Sequence, residues 1–242
     1  MIGTILNVAG ILLGGFVGLT RRKPLSVATE SYFKVVLAAF TVFYGLRLTW
    51  VSFSGSFVEM CKQLAVIVLA LSIGKILGRA LRLQKISNRL GQRAKENITD
   101  IKTDDPERFS KGFQTCASLF CAAPLGILGS TQEGLSLSQY FYPLAIKAVM
   151  DGLASAGFVL LFGRGVLLAA LPVLAVQGTI TLFTARILEP ILSLHNLVNS
   201  INAVSGLLVF CVALVMLGLK RIELADYLPS LIVAPLLTLL WR

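Results

Sequence analysis

Lys147 and Asp151 are the two residues in this chain whose types and spacing most invite chemistry. Four apart in AIKAVMDGLASAGFVLLFG, they share a helical face with Ser155, inside a run that is otherwise apolar. A charge near the centre of a bilayer costs about 2.5–3.5 kcal/mol on the insertion scale, so such a pair must face protein or water. Two readings stand side by side. The pair is either a mutually neutralising lock between helices, or part of a wet pathway in which Asp151 takes a proton or cation and Lys147 modulates it. Other polar residues lie in equally apolar surroundings. Asn7 lies within GTILNVAGILLGG, Ser130, Gln132 and Glu133 belong to the glycine-rich APLGILGSTQEG, and Gln177, Thr181 and Thr184 follow Pro172 near one helical face. Asn202 and Ser205 in NSINAVSG complete the set. Converging amides, hydroxyls and proline-freed carbonyls would suit a small cation or polar solute, and would equally suit hydrogen bonding between helices.

Catalytic chemistry finds no comparable support. The chain has no HExxH or GxSxG pattern; Cys61, Cys116, Cys121 and Cys211 form no CxxC pair, and His195 is the lone histidine. No enzyme activity, metal or cofactor is expected. Of 242 residues, 56% are hydrophobic and 14% charged, a balance that excludes an ordinary soluble globule. The net charge of +10 would suit nucleic acid only as a water-facing basic surface, but the cations lie between apolar runs, so no nucleic-acid partner is expected.

The elements that position these residues read as an all-α, polytopic bundle forming one integral membrane domain over 1–242. Eight apolar spans fall at about 2–19, 33–51, 63–80, 111–129, 139–162, 166–186, 199–219 and 227–241. Pro124 interrupts the fourth, and Pro229 and Pro235 the eighth, so both are candidates for broken or re-entrant helices. The one long hydrophilic stretch, about 82–110, begins with Leu83, Ile86 and Leu90 at helical spacing, and the third span is expected to continue as an amphipathic helix on the membrane surface. Asp105 with Pro106 has the pattern of a helix start, and Ser136 with Gln139 that of a capping box.

Charge sets the expected orientation. Arg21, Arg22, Lys23, Lys34, the run from Arg79 to Lys111, Arg164, Lys220 and Arg221 lie on the side of the basic loop, against Arg47, Lys62, Arg186 and Arg242 on the other. That places the loop in the cytoplasm and both termini outside, with Trp50, Trp241 and the Tyr140-Phe141-Tyr142 cluster in the outer interfacial belt. Lys75 lies near enough to the inner end of its span to snorkel. The ends of the second and seventh spans, AFTVFYGLRL and ALVMLGLKRI, are loosely alike, which is the pattern of an inverted repeat of spans one to three as six to eight. Gly10, Gly14 and Gly18 form a small-residue stripe for close helix packing, within the monomer or in a homodimer; Gly74 and Gly78 repeat the spacing.

The opening GTILNVAGILLGG, the elements at Gly112-Phe113 and Leu119-Phe120-Cys121, Gly129-Ser130 with Gln132 and Gly134, Lys147 followed by Asp151-Gly152, Gln177-Gly178, and AVSGLL with LGLKRI together resemble the bacterial inner-membrane family catalogued as domain of unknown function 554. Pro124 with Leu125 departs from its pattern. The resemblance implies an integral membrane protein of bacterial type in the cytoplasmic membrane, and supplies no activity. The leading expectation is a secondary-transporter-like or channel-like protein for a small solute or ion, with its pathway at Asn7, Ser130, Gln132, Lys147, Asp151, Ser155, Gln177, Thr181 and Asn202. The competing one is a non-transporting scaffold or sensor whose basic loop binds a partner or anionic lipid.

Overall fold

The computed structural model describes residues 1–21, 23–99, 107–135 and 141–241. Regular structure among them is helical, with no strand. Helices α1 (Ile2–Arg21), α2 (Val27–Val51) and α3 (Phe57–Ala80) are each long and apolar enough to cross a membrane. At 1.5 Å per residue the 20 residues of α1 span about 30 Å, the thickness of a bilayer's hydrocarbon core. Local chemistry fixes where two of them begin. The Ser26 hydroxyl accepts from the Thr29 N–H ahead of α2, and Ser56 and Glu59 exchange side-chain and backbone bonds in a capping box ahead of α3.

Helix α3 does not continue into the basic stretch as expected. Arg82, at φ 57°, sits in the left-handed region that a side chain disfavours, and this turn separates α3 from α4 (Leu83–Thr99). Helix α4 is fastened at both ends: the Gln84 N–H donates to Asp226 Oδ1 at 2.8 Å, and Asn97 Nδ2 donates to Thr115 Oγ1 at 2.9 Å.

The fourth span is broken into α5 (Arg108–Ala122) and α6 (Pro124–Leu135), bent by 56°. Ala123, at ψ 123°, takes the extended conformation that a following proline imposes, and Pro124 opens α6 where its missing N–H costs nothing. The APLGILGSTQEG segment, whose glycines suggested irregular backbone or a turn, is regular helix from Pro124 to Leu135. Its glycines serve close approach instead: a Cβ at Gly129 would lie 2.8 Å from Leu144, and one at Gly134 2.5 Å from Thr184.

Helix α7 (Tyr142–Phe162) ends at Gly163, φ 70°, and a 3-10 turn (Gly163–Ala169) reverses the chain into α8 (Ala170–Phe183). Pro172 falls in the first turn of α8, where no intrahelical bond is lost, so the mid-span carbonyl it was expected to free is not freed. A π-helical turn (Thr184–Leu188) leads to the short α9 (Glu189–Leu194); then follow α10 (Val198–Met216), a 3-10 turn (Leu224–Tyr227) and α11 (Ser230–Leu240), which carries Pro235 within it. The expected caps at Asp105, Pro106, Ser136 and Gln139, the aromatic Tyr140, and Arg22 and Arg242 lie outside the described residues.

Glycine contacts give the relative directions of the helices. Gly10, Gly14 and Gly18 press onto the backbone of Ala148, Gly152 and Ala156 in the same order, so α1 and α7 run parallel. This stripe is consumed inside the chain and is not a dimer face, because a backbone already lies where a second copy would pack. Gly45 and Gly206 meet each other's carbonyls, each with a built Cβ at 2.6 Å, and Thr49 Oγ1 donates to the Ala203 carbonyl, so α2 and α10 run antiparallel. Gly74 against Ser230 and Gly78 against Asp226 make α3 and α11 antiparallel as well. Outside, Leu13, Phe16, Phe40, Phe43 and Ile76 are exposed, as side chains facing lipid would be.

Candidate functional site

Half of the bundle, formed by α1, α5–α6, α7 and α8, holds the buried Glu133, Lys147 and Asp151. Lys147 and Asp151 are buried, 1% and 7% exposed, and form the i,i+4 ion pair that their spacing allows. The break in the fourth span supports this pair. Lys147 Nζ lies 5.8 Å from the centre of the ring of Phe120, which belongs to the last turn of α5. Gly126, just past the break, leaves room that a Cβ would fill, 3.0 Å from Lys147 Cε and 3.2 Å from Gln177 Nε2. The ammonium stem of α7 and the amide of α8 therefore border one space at the foot of α6.

Asn7 joins the layer from α1. Its Nδ2 donates to Gln177 Oε1 at 3.1 Å, and its side chain lies within reach of the Asp151 carboxylate. This one bond leaves Asn7 Oδ1 and Gln177 Nε2 buried and unpartnered. Flipping both amides exchanges the labels but again leaves one donor and one acceptor. Ser130 Oγ, Gln132 Nε2, Ser155 Oγ, Asn202 Oδ1 and Ser205 Oγ are also buried without a partner among the described residues. An unpaired buried polar group costs roughly 1–3 kcal/mol, so these seven atoms are a load that apolar side chains would avoid.

A second layer lies toward the start of α1, organised by Glu133 in the last turn of α6. Its carboxylate, 1% exposed, accepts from the Gly3 N–H at 2.5 Å, the Thr4 N–H at 3.3 Å, the Thr4 hydroxyl at 2.9 Å and the Thr181 hydroxyl at 3.3 Å. The Met1 amine is 3.4 Å away. Glu133 thus caps α1 from another helix, using the bonds to N2 and N3 that an ordinary cap would make. The Thr181 hydroxyl also donates to the Ser130 carbonyl at 3.3 Å, and Thr184, just after α8, begins the π-helical turn.

The expected residues Asn7, Lys147, Asp151 and Gln177 come together, with Ser130 and Thr181 one layer away. Gln132 accepts from Tyr44 OH at 3.2 Å, and Ser155 lies one turn beyond Asp151. Asn202 and Ser205 are buried on α10 with no hydrogen bond to the others among the described residues. Tyr44, Thr4 and the organising role of Glu133 are not singled out by the sequence. A carboxylate in an apolar run was the available signal for Glu133, overshadowed by the glycines around it. The apolar side chains of Ile11, Cys116, Phe120, Val159, Phe162 and Val166 pack together along these same helices. A cavity of about 630 Å³ lies elsewhere, lined by Ser52, Glu59, Lys62, Gln63, Asn199 and Trp241, and none of the ion-pair layer lines it.

An all-helical bundle with an apolar exterior and a charged, amide-rich interior is a multi-pass membrane protein. The chain belongs to the family described as "Protein of unknown function (DUF554)", whose model matches residues 2–239. It is 28% identical over 236 residues to a Bacillus subtilis (strain 168) protein described as "Uncharacterized membrane protein YdfK", covering 97% of this chain and 94% of that one. It is 27% identical over 245 residues to "Uncharacterized protein YqgA" of Escherichia coli (strain K12), covering 100% and 97%. No solved structure matches.

Proposed function

We propose that the protein is a secondary-transporter-like or channel-like component of the bacterial inner membrane, moving a small polar solute or ion past Asn7, Lys147, Asp151 and Gln177. The observation that carries this reading is the pair of buried, unpartnered amide atoms of Asn7 and Gln177 beside a buried ion pair at a broken helix. Discontinuous helices and intramembrane charges are the usual materials of a transport site. In this reading the chain crosses eight times with both termini outside and α4 in the cytoplasm, and spans one to three and six to eight form an inverted repeat. Support comes from the three helix pairs such a repeat relates. Asn7 bonds Gln177 between α1 and α8, Gly45 meets Gly206 between α2 and α10, and Gly74 meets Ser230 between α3 and α11, and in each the order of contacts is antiparallel.

The burial of Lys147 and Asp151 favours a second reading, a non-transporting scaffold or sensor in which the pair only locks α7 in place. Proteoliposomes offered a panel of monovalent and divalent ions, amino acids and organic acids separate the two. The transport reading expects uptake of at least one solute well above protein-free vesicles, lost in Asp151→Asn. Uptake unaffected by Asp151→Asn removes the role assigned to that residue, and no uptake across the panel favours the scaffold.

A further inference from the structure

A separate polar pocket of about 460 Å³ opens where α3 ends and α4 begins, closed on its far side by the turn before α11. Arg79, Arg82, Lys85 and Arg89 line it together with Glu223 and Asp226. The two carboxylates are already engaged. Glu223 accepts from Arg79 at 3.2 Å, and the buried Asp226 accepts the Gln84 N–H at the start of α4. Arg82, Lys85 and Arg89 are left with no carboxylate partner among the described residues, three like charges around one concavity. Asn88 and Gln92 continue the same face of α4 one turn at a time and add amide donors.

The backbone holds this arrangement at a cost. Arg82 keeps a left-handed conformation because the chain around it is tied twice: Asp226 takes the Gln84 N–H, and Gln84 Oε1 takes the Ala225 N–H at 3.1 Å. Strain of this kind persists where the surroundings over-determine it, and it gathers at binding sites. A positive-inside bias explains cations near a membrane surface, but it does not explain why they converge on a pocket whose acids already have partners in its own wall. Guanidinium forks and an ammonium around one concavity match the oxygens of a phosphate group.

We propose that this pocket binds a phosphate-bearing ligand at the membrane surface, held by Arg82, Lys85 and Arg89. The same chemistry is offered by the headgroup of an anionic phospholipid and by a soluble phosphate ester, and the location at the end of a membrane-spanning helix admits both. The test is thermal unfolding of the full-length protein in detergent. One arm adds short-chain phosphatidylglycerol against short-chain phosphatidylcholine; the other adds glycerol 3-phosphate against chloride at equal ionic strength.

The wild-type midpoint should rise by roughly 3 °C or more with a saturating phosphate-bearing probe. Arg82→Asn/Lys85→Gln/Arg89→Gln, in which asparagine tolerates the left-handed turn, should lose that rise. Arg21→Gln/Lys23→Gln/Lys34→Gln, removing equal charge elsewhere, should keep it. A rise with phosphatidylglycerol alone assigns a lipid headgroup, and a rise with glycerol 3-phosphate assigns a soluble ester. The proposal is overturned if neither probe shifts the wild type, if the pocket variant keeps the shift, or if the control variant loses it equally. Should the pocket variant fail to fold, Lys85→Gln alone, on the exposed face of α4, should weaken the shift, and a full shift in it overturns the proposal.

Discussion

The two halves of this bundle are packed by the same device and filled with different chemistry. Around α1 and α7, Gly10, Gly14 and Gly18 bring two backbones together; around α2 and α10, Gly45 and Gly206 do the same. Yet the first half buries Glu133, Lys147, Asp151, Asn7 and Gln177, while the second buries Leu37, Leu48, Ile67, Leu208, Val209 and Val233, with Asp226 as its one buried charge among the described residues, at the turn before α11. Where hydroxyls enter the second half they are satisfied close by: Thr41 donates to the Leu37 carbonyl, Thr49 to that of Gly45 and Ser52 to that of Leu48. Asn202 and Ser205 on α10 are the exceptions. The α2–α10 contact therefore packs closely without a buried charge. The apolar half acts as an internal control, and it turns the ion pair from a packing feature into one that needs another reason.

The largest expected effect comes from breaking the charged half alone. Lys147→Met strands the Asp151 carboxylate in the interior and should destabilise by about 3–5 kcal/mol, whereas Lys147→Met/Asp151→Leu should recover most of that loss. Unfolding of the purified protein by denaturant measures both. If the single variant is as stable as the wild type, the pair is not buried as described.

Next come the glycines, where the halves should behave alike. Gly14→Ala places a methyl on the backbone of Gly152, and Gly45→Ala places one 2.6 Å from the Gly206 carbonyl. Each should cost roughly 1–3 kcal/mol, because backbone cannot step aside as a side chain can. A neutral Gly14→Ala beside a damaging Gly45→Ala would show that the two interfaces are not equivalent.

Gly126→Ala separates stability from function. Its methyl meets the flexible ends of Lys147 and Gln177, so it should cost less than about 1 kcal/mol yet displace both groups and lower any flux. The smallest effect is the coupling between Asn7 and Gln177. A double-mutant cycle with Asn7→Ala and Gln177→Ala should give about 0.6 kcal/mol, as hydrogen bonds between membrane helices do.

Much of this was legible in the sequence, for physical reasons. Apolar runs placed α1, α2, α3, α7 and α10 because lipid tolerates little else, and Pro124 marked the break in the fourth span. Residues with no business in hydrocarbon, Asn7, Lys147, Asp151 and Gln177, identified themselves by their cost. What depended on tertiary context was hidden. The spacing of Gly10, Gly14 and Gly18 signals a close partner without saying which, and the partner is α7. The end of α3 was invisible because an arginine, not a glycine, takes the left-handed turn, held there by Asp226 far along the chain. Glu133 escaped for a similar reason: its partners, the first N–H groups of α1, lie 129 and 130 residues away.

The central proposal is that the buried Lys147–Asp151 pair serves transport and not packing. Its most direct test is solute flux by proteoliposomes carrying Lys147→Met/Asp151→Leu, the variant expected to keep the fold. The account predicts a folded, reconstituted protein whose flux falls to the level of protein-free vesicles, while Gly45→Ala protein that remains folded still carries solute. Wild-type flux from the double variant would contradict it.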